Sequence, residues 1–316
     1  MRNTPPSQSQ TSLPPAAEPP SPGARNFPGW PPSFEAALER LALAPRQLSR
    51  QNQPGSVRSR VRGRALEFAD YRPYVPGDDP RLVDWRTYAR LDRLYLKQFE
   101  EEHSRALTLL VDASASMDWG TGDEHKGYYA RRLAAALAWI SLSRHEPVRV
   151  FLLREGTATR LRPVSVRAGI GLLFQELGSA KEAGRTDLVS SLRAAFADTR
   201  PGPTVLLSDL LEPGWAEAGR LLAATREGCV LQVLAPSEWE PPLGEEVELE
   251  DSETGNVRSL RLGPLELAAY RDRLAAFLHE VRDACQRLGV LHLALNSGAP
   301  LQETVLRALP RTGVLA

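Results

Sequence analysis

The sequence predicts an α/β protein built on a doubly wound, mainly parallel sheet. Two observations carry this expectation. Short apolar runs alternate with amphipathic stretches of ten or more residues, which is the order of βαβ units. The runs are almost continuously apolar instead of alternating, so both faces of their sheet must be covered.

The elements follow in order. Arg105 to Val111 (RALTLLV) is the first buried strand. Lys126 to His145 is helical, with Leu133, Leu137 and Ile140 on one stripe. Val148 to Leu153 is a second buried strand, and Thr157 to Leu161 an edge strand. Val166 to Leu177 and Asp187 to Asp198 are helices. Thr204 to Ser208 (TVLLS) and Cys229 to Leu234 (CVLQVL) are strands separated by a helix near Trp215 to Arg226. A long helix from Pro264 to Leu288 leads into a last strand, Val290 to Leu295. One segment breaks the alternation. Glu245 to Leu262 alternates polar with apolar residues around Thr254-Gly255-Asn256, which predicts a β-hairpin insertion. Its six acidic residues suit a solvated hairpin better than a partner surface.

Upstream of the sheet the chain divides further. Residues 1–33 hold ten prolines and are expected to be a disordered tail, because such a segment buries too little apolar surface to offset its ordering entropy. Residues 34–100 form an N-terminal extension, and residues 101–316 the α/β domain. Phe34 to Leu48 has the pattern of a short helix, with Ser33 as its N-cap. Between Arg40 and Arg64 there are seven arginines and no acid. Arg58, Arg60, Arg62 and Arg64 alternate, so an extended chain places them on one side. A nucleic-acid-binding arm and a solvated or carboxylate-paired strand edge both account for this spacing.

Composition removes several functional classes. In 316 residues, Lys plus Arg equal Asp plus Glu at 39 each, so overall charge points to neither nucleic acid nor membrane. The two cysteines, Cys229 and Cys285, lie too far apart for a zinc motif and suit a reducing compartment. No signal peptide is evident at the N-terminus. No stretch approaches the roughly 20 apolar residues a spanning helix needs. The expected location is the cytoplasm.

The chemistry concentrates after the first buried strand, in Asp112-Ala-Ser114-Ala-Ser116-Met117. Ligands of open α/β sheets sit outside the carboxyl ends of strands, where this loop falls. On an extended segment, Asp112, Ser114 and Ser116 point to one side. A carboxylate and two hydroxyls are hard oxygen ligands suited to Mg²⁺ or Mn²⁺. Thr186, in the loop Gly184-Arg185-Thr186-Asp187, and Asp209, closing the TVLLS strand, complete a candidate set of five. Two negative charges nearly neutralise a dication. The neutral ligands leave such an ion able to accept a carboxylate from another protein. The plainer alternative is helix capping by Asp and Ser after a strand. Asp118 is either a solvated loop acid or a group supporting the ligands.

DASAS followed by Thr186 and Asp209 resembles the metal-ion-dependent adhesion site of von Willebrand factor type A domains. Upstream, Glu67-Phe68, Arg72, Tyr74-Val75-Pro76-Gly77-Asp78-Asp79, Arg81, Asp84-Trp85 and Ala89-Arg90 resemble the bacterial "domain of unknown function 58" family, in which this run precedes a type A-like domain. The resemblance covers roughly residues 50–300. It implies a type A-like fold, a Mg²⁺ site and association with MoxR-type AAA+ ATPases in a chaperone or adaptor role. Many members carry transmembrane helices upstream, where this chain has its proline-rich tail. The Gly77-Asp78 block itself has a structural reading, with a turn, a Trp85 anchor and arginines pairing with nearby acids.

The expected function is therefore a non-enzymatic, metal-dependent protein-interaction module whose partner offers an acidic side chain. A metal-assisted phosphohydrolase with Asp112 as nucleophile is the alternative. That chemistry wants a second carboxylate two residues on and a lysine for the phosphoryl group. Ser114 stands at the first place, and Lys126 and Lys181 have no telling sequence context. Serine hydrolysis lacks its G-x-S-x-G elbow.

Overall fold

A computed structural model of the chain describes residues 27–43, 67–73, 87–88, 95–100, 106–197, 202–225, 227–241, 246–250, 257–261 and 263–316. Arg58 to Arg64 and Tyr74 to Trp85 lie outside the described residues. In chain order the first two strands, β1 (Glu67–Pro73) and β2 (Tyr95–Glu100), pair antiparallel with Pro73 opposite Tyr95. The central sheet takes β3 (Leu107–Asp112), β4 (Val148–Arg154), β5 (Thr157–Arg160), β6 (Thr204–Ser208) and β7 (Gly228–Leu234). β8 (Glu246–Glu250) and β9 (Val257–Arg261) form the expected antiparallel hairpin insertion. β10 (Leu291–Asn296) returns to the central sheet. The spatial order is β10-β7-β6-β3-β4-β5, all parallel except the edge strand β5.

This order winds the sheet in both directions from β3. The chain moves outward to β4 and β5, then crosses back to β6, β7 and β10. Alternate residues of the inner strands feed two cores, as period-two geometry requires. Leu107, Leu109 and Val111 of β3 join one core with the helices α2 (Lys126–Ser143) and α3 (Ile170–Ser179). Leu110 joins the other, with α4 (Leu188–Ala197), α5 (Trp215–Ala223) and α7 (Pro264–Arg287). A short turn of helix, α6 (Pro236–Trp239), caps the end of β7.

One expectation is extended and another corrected. α2 is more than the stripe of Leu133, Leu137 and Ile140, which is buried as expected, since 15 of its 18 residues are buried. It is covered by the sheet, by α3, by α1 (Pro32–Leu38) and by a C-terminal helical segment spanning residues 301–311. Its alanine-rich centre, Ala134 to Ala138 broken only by Leu137, permits that close approach.

The correction concerns the N-terminus. The tail boundary expected at residue 33 falls inside an ordered element, because Trp30, Phe34 and Leu38 insert into the first core. Pro31 and not Ser33 occupies the N-cap of α1, with no side-chain cap bond. The helix ends at Leu38, well short of the expected Leu48, which lies outside the described residues. Trp30 packs edge-on against Phe34 and Phe174, and Phe174 stacks on Trp139 of α2. The backbones of Ala42 and Ala316 bond reciprocally at 2.9 and 2.8 Å, joining this segment to the chain terminus. Aromatic burial supplies what the proline-rich composition hides.

Phe34→Ala is therefore expected to destabilise the protein by about 3–5 kcal/mol in urea denaturation. An unchanged midpoint would mean that α1 is dispensable to the fold.

Candidate metal centre

The site is built by strand register. β3 and β6 pair in parallel with Val111 opposite Leu207, so the next residues, Asp112 and Ser208, stand side by side at the carboxyl edge. This is the switch point of the sheet, where neighbouring connections diverge and a crevice opens. Ser208 Oγ donates to Asp112 Oδ2 at 2.7 Å, and the Ser114 amide donates to Asp112 Oδ1 at 3.0 Å. Each carboxylate oxygen keeps a further lone pair.

Ser114 continues the extended chain (φ −73°, ψ 167°), but Ala115–Met117 then closes into a 3₁₀ turn. The purely extended spacing expected for this loop is therefore corrected. The turn is what brings Ser116 back, with the Ser114 and Ser116 hydroxyl oxygens 3.1 Å apart. Ser114 stands at the N-cap position of that turn without making a side-chain cap bond, so its hydroxyl is not spent on capping.

The loop that carries Thr186 is tied to the site through its backbone. The Ala115 amide donates to Gly184 O and the Ala183 amide to Ala113 O, both at 2.9 Å, which staples residues 183–184 onto the Asp112–Ser116 loop. Gly184 has φ +77°, and a Cβ there would lie 2.6 Å from the Glu155 carboxyl group. Only glycine turns the chain at this point without strain. Thr186 is half-buried and walls an open cleft of about 530 Å³ together with Arg185, Glu155 and Glu212. Asp112, Ser114, Ser116 and Asp209 do not line this cleft, which borders the site only at the Thr186 loop.

Asp209 is fully buried. Its Oδ1 accepts from the Leu211 amide at 3.0 Å, and its Oδ2 from Lys126 Nζ at 2.8 Å. Leu210, between them, is held at φ +58°, a conformation costing a non-glycine residue on the order of 1–2 kcal/mol. The Ser208 hydroxyl supports that turn by accepting from the Leu210 amide at 3.1 Å. From the sheet side, Gln232 Nε2 donates to the Asp209 carbonyl at 2.9 Å, and His292 Nε2 lies 3.0 Å from Gln232 Oε1. Burial and the Arg282 charge hold His292 down at about 4, so near pH 7 it is a neutral donor to Gln232.

Electrostatics expose the tension in this arrangement. Burial and the nearby Asp209 charge, in that order, push the Asp112 carboxyl up to about 6, against the lowering effect of its bonds to Ser208 and Ser114. Among the described residues, two carboxylates therefore share a dry site with one ammonium, that of Lys126. The donor set suits a small hard dication. Cis ligands on an octahedral Mg²⁺ with bonds near 2.1 Å stand about 3 Å apart, as the two serine hydroxyls already do, and a second positive charge would relieve the paired carboxylates.

Sequence spacing missed Lys126 and Glu238. Lys126 Nζ also donates to Glu238 Oε1 at 2.8 Å, and the lysine side chain is only 1% exposed. One signal was available, since a cation in the first turn of a helix opposes the macrodipole. Asp118 is now placed as an exposed loop acid 2.9 Å from His125 Nε2. Together with Glu182 these residues bring potential ligand atoms within 4.8 Å of one another. Their bonding accounts for them otherwise. His125 is the N-cap of α2, its Nδ1 accepting from the Tyr128 amide at 3.1 Å. The proton of the neutral ring is then on Nε2, facing Asp118, and no lone pair is left there for a metal. Glu182 pairs with Arg131 at 3.3 Å.

A doubly wound, mainly parallel six-stranded sheet with acids and hydroxyls gathered at its switch point defines the class of the chain as α/β. The family model described as "Protein of unknown function DUF58" matches residues 70–281, and the chain belongs to that family. It is also similar to uncharacterized mycobacterial proteins, Rv1480 of Mycobacterium tuberculosis strain H37Rv and Mb1516 of Mycobacterium bovis. Each is 29% identical over 275 residues, covering 85% of this chain and 84% of the relative.

The raised Asp112 carboxyl fixes the sign of a stability effect. Its ionised form costs stability above about pH 6, and that cost is relieved as pH falls through 6 toward 4. In EDTA at pH 8, Asp112→Asn is expected to be more stable than wild type by about 3 kcal/mol, with the gap closing as pH falls toward 4. A variant less stable at pH 8 would show that the paired carboxylates are not under strain.

Proposed function

We propose that this protein is a non-enzymatic, metal-dependent protein-interaction module. The observation that carries the proposal is the buried Asp112–Asp209 pair beside the Ser114 and Ser116 hydroxyls, a set of hard oxygens short of positive charge. In this reading Asp112, Ser114, Ser116 and Thr186 hold Mg²⁺ (or Mn²⁺), and Asp209 supports the ion. When bound, the metal supplies an open position that accepts an acidic side chain from a partner. The chain's own groups do the rest. Ser208 and the Ser114 amide orient Asp112, the Gly184 loop carries Thr186, and the solvent-open cleft beside Thr186 admits the partner.

The partner we favour is a MoxR-type AAA+ ATPase or one of its clients, on the family resemblance, with the protein acting as adaptor or chaperone-like partner. The cytoplasm fits this role. Cys229 and Cys285 are buried thiols, suited to a reducing compartment, and no helix among the described residues is long and apolar enough to cross a membrane.

The phosphohydrolase alternative gains a lysine near the acids, but not a usable one. Lys126 is buried and committed to two carboxylates. Asp112 is 2% exposed with both oxygens accepting hydrogen bonds, a poor position for a nucleophile.

The test is capture of the purified MoxR-type ATPase from the same organism on immobilised protein. Capture is expected with Mg²⁺, and it should be lost in EDTA and in Asp112→Ala. Capture indifferent to both treatments would sink the metal-dependent reading. Asp112-dependent turnover of a generic phosphoester would favour the hydrolase instead.

A further inference from the structure

Lys126 occupies a place that two physical effects oppose. It opens α2, where the helix dipole disfavours a cation, and it is almost fully desolvated. A lysine retained there is held by its partners, and those partners are specific. Its ammonium touches Asp209 Oδ2 and Glu238 Oε1, each at 2.8 Å. Glu238 is fixed in turn. Its Oε2 accepts from the Ala235 amide at 2.7 Å, and its carbonyl accepts from Tyr270 OH at 2.6 Å. The ammonium thus stands on a rigid support and grips one oxygen of Asp209, while the Leu211 amide grips the other.

This grip bears on what Asp209 can do for a metal. A dication bonded directly to Asp209 Oδ2 would have to share that oxygen with an ammonium. Like charges at such separation in a dry site repel strongly. At Oδ1, which keeps a lone pair beside its bond to the Leu211 amide, the same ammonium charge a carboxylate-width away still disfavours a dication. Asp209 therefore acts at a distance, through its field or a water, and Asp112 becomes the one carboxylate in direct contact. An ion with one anionic and several neutral ligands keeps appetite for another anion.

We propose that Lys126 is a positioning residue that holds Asp209 out of direct coordination, so that metal and an external carboxylate bind cooperatively and the metal alone binds weakly. This inference rests on the metal-dependent reading above and adds to it a reason for the partner's carboxylate. The lysine acts through Asp209 and touches neither metal nor partner.

The test is Mn²⁺ binding to the full chain, read from the electron paramagnetic resonance of free Mn²⁺, with and without acetate as the carboxylate probe. For wild type, acetate is expected to tighten Mn²⁺ binding at least fivefold, within the usual range of coupling between sites. The charge-balanced double variant Lys126→Met/Glu238→Gln frees Asp209 to ligate. It should bind Mn²⁺ alone about tenfold tighter than wild type, with the acetate effect falling toward onefold. A merely structural lysine would move neither quantity in a folded variant, and unchanged values would overturn the proposal.

Should the double variant fail to fold, Asp209→Asn decides. It is expected to cost no more than about tenfold in Mn²⁺ affinity, the scale of a supporting group, against a much larger loss for Asp112→Asn. Equal losses would make Asp209 a direct ligand and overturn the role given to Lys126. Wild type that binds no Mn²⁺ at millimolar concentration would overturn the metal-dependent reading as well, which separates the two failures.

Discussion

Two carboxylates buried side by side at the end of a sheet are expensive, because desolvation and mutual repulsion both disfavour their charged forms. Asp112 and Asp209 are such a pair, and much of the surrounding structure answers to them. The parallel register of β3 and β6 sets Asp112 beside Ser208, and Asp209 follows directly in the chain. The Ser208 hydroxyl bonds one and supports the turn that carries the other. The Gln232–His292 pair fixes the backbone of Asp209 from the sheet. Lys126 offsets part of the charge from the opposite side.

The burial of α2 follows from the same demand. An ammonium can serve as a fixed counter-charge only if the helix bearing it does not move. Sheet, α3, α1 and the C-terminal segment enclose α2, and the Tyr129 hydroxyl bonds Thr304 at 2.7 Å to fasten that last layer. Trp30 and Phe34, set in a proline-rich stretch, are part of the enclosure. The N-terminal segment is thereby linked through α2 to the loop at the switch point.

Much of this architecture was legible in the sequence. The apolar runs at Leu107, Val148, Thr204 and Cys229 gave strands within a residue or two of their observed bounds, because buried parallel strands leave an unbroken apolar signature. The polar–apolar alternation of Glu245 to Leu262 correctly marked the antiparallel pair β8 and β9. Asp112, Ser114 and Ser116 could be grouped because local spacing forces them together, although a 3₁₀ turn and not an extended chain does so. What stayed hidden depends on distant pairing. Nothing local to Lys126 announces Asp209, 83 positions away, or Glu238, 112 away. The order of Trp30 and Phe34 was masked by the prolines around them, and β1 and β2 show no apolar run to betray their pairing. Only one stripe of α2 was legible, because alanine is silent in a hydrophobic pattern, and the burial of its other faces is decided by neighbours far along the chain.

The most direct measurement is anomalous diffraction at the manganese edge from crystals of the full chain soaked in Mn²⁺. A peak within bonding distance of the Asp112 carboxylate and the Ser114 and Ser116 hydroxyls is the predicted result, with Asp209 farther off and still joined to Lys126. No peak there at saturating Mn²⁺, or one confined to Asp118 and Glu182, would contradict a metal centre at the switch point of the sheet.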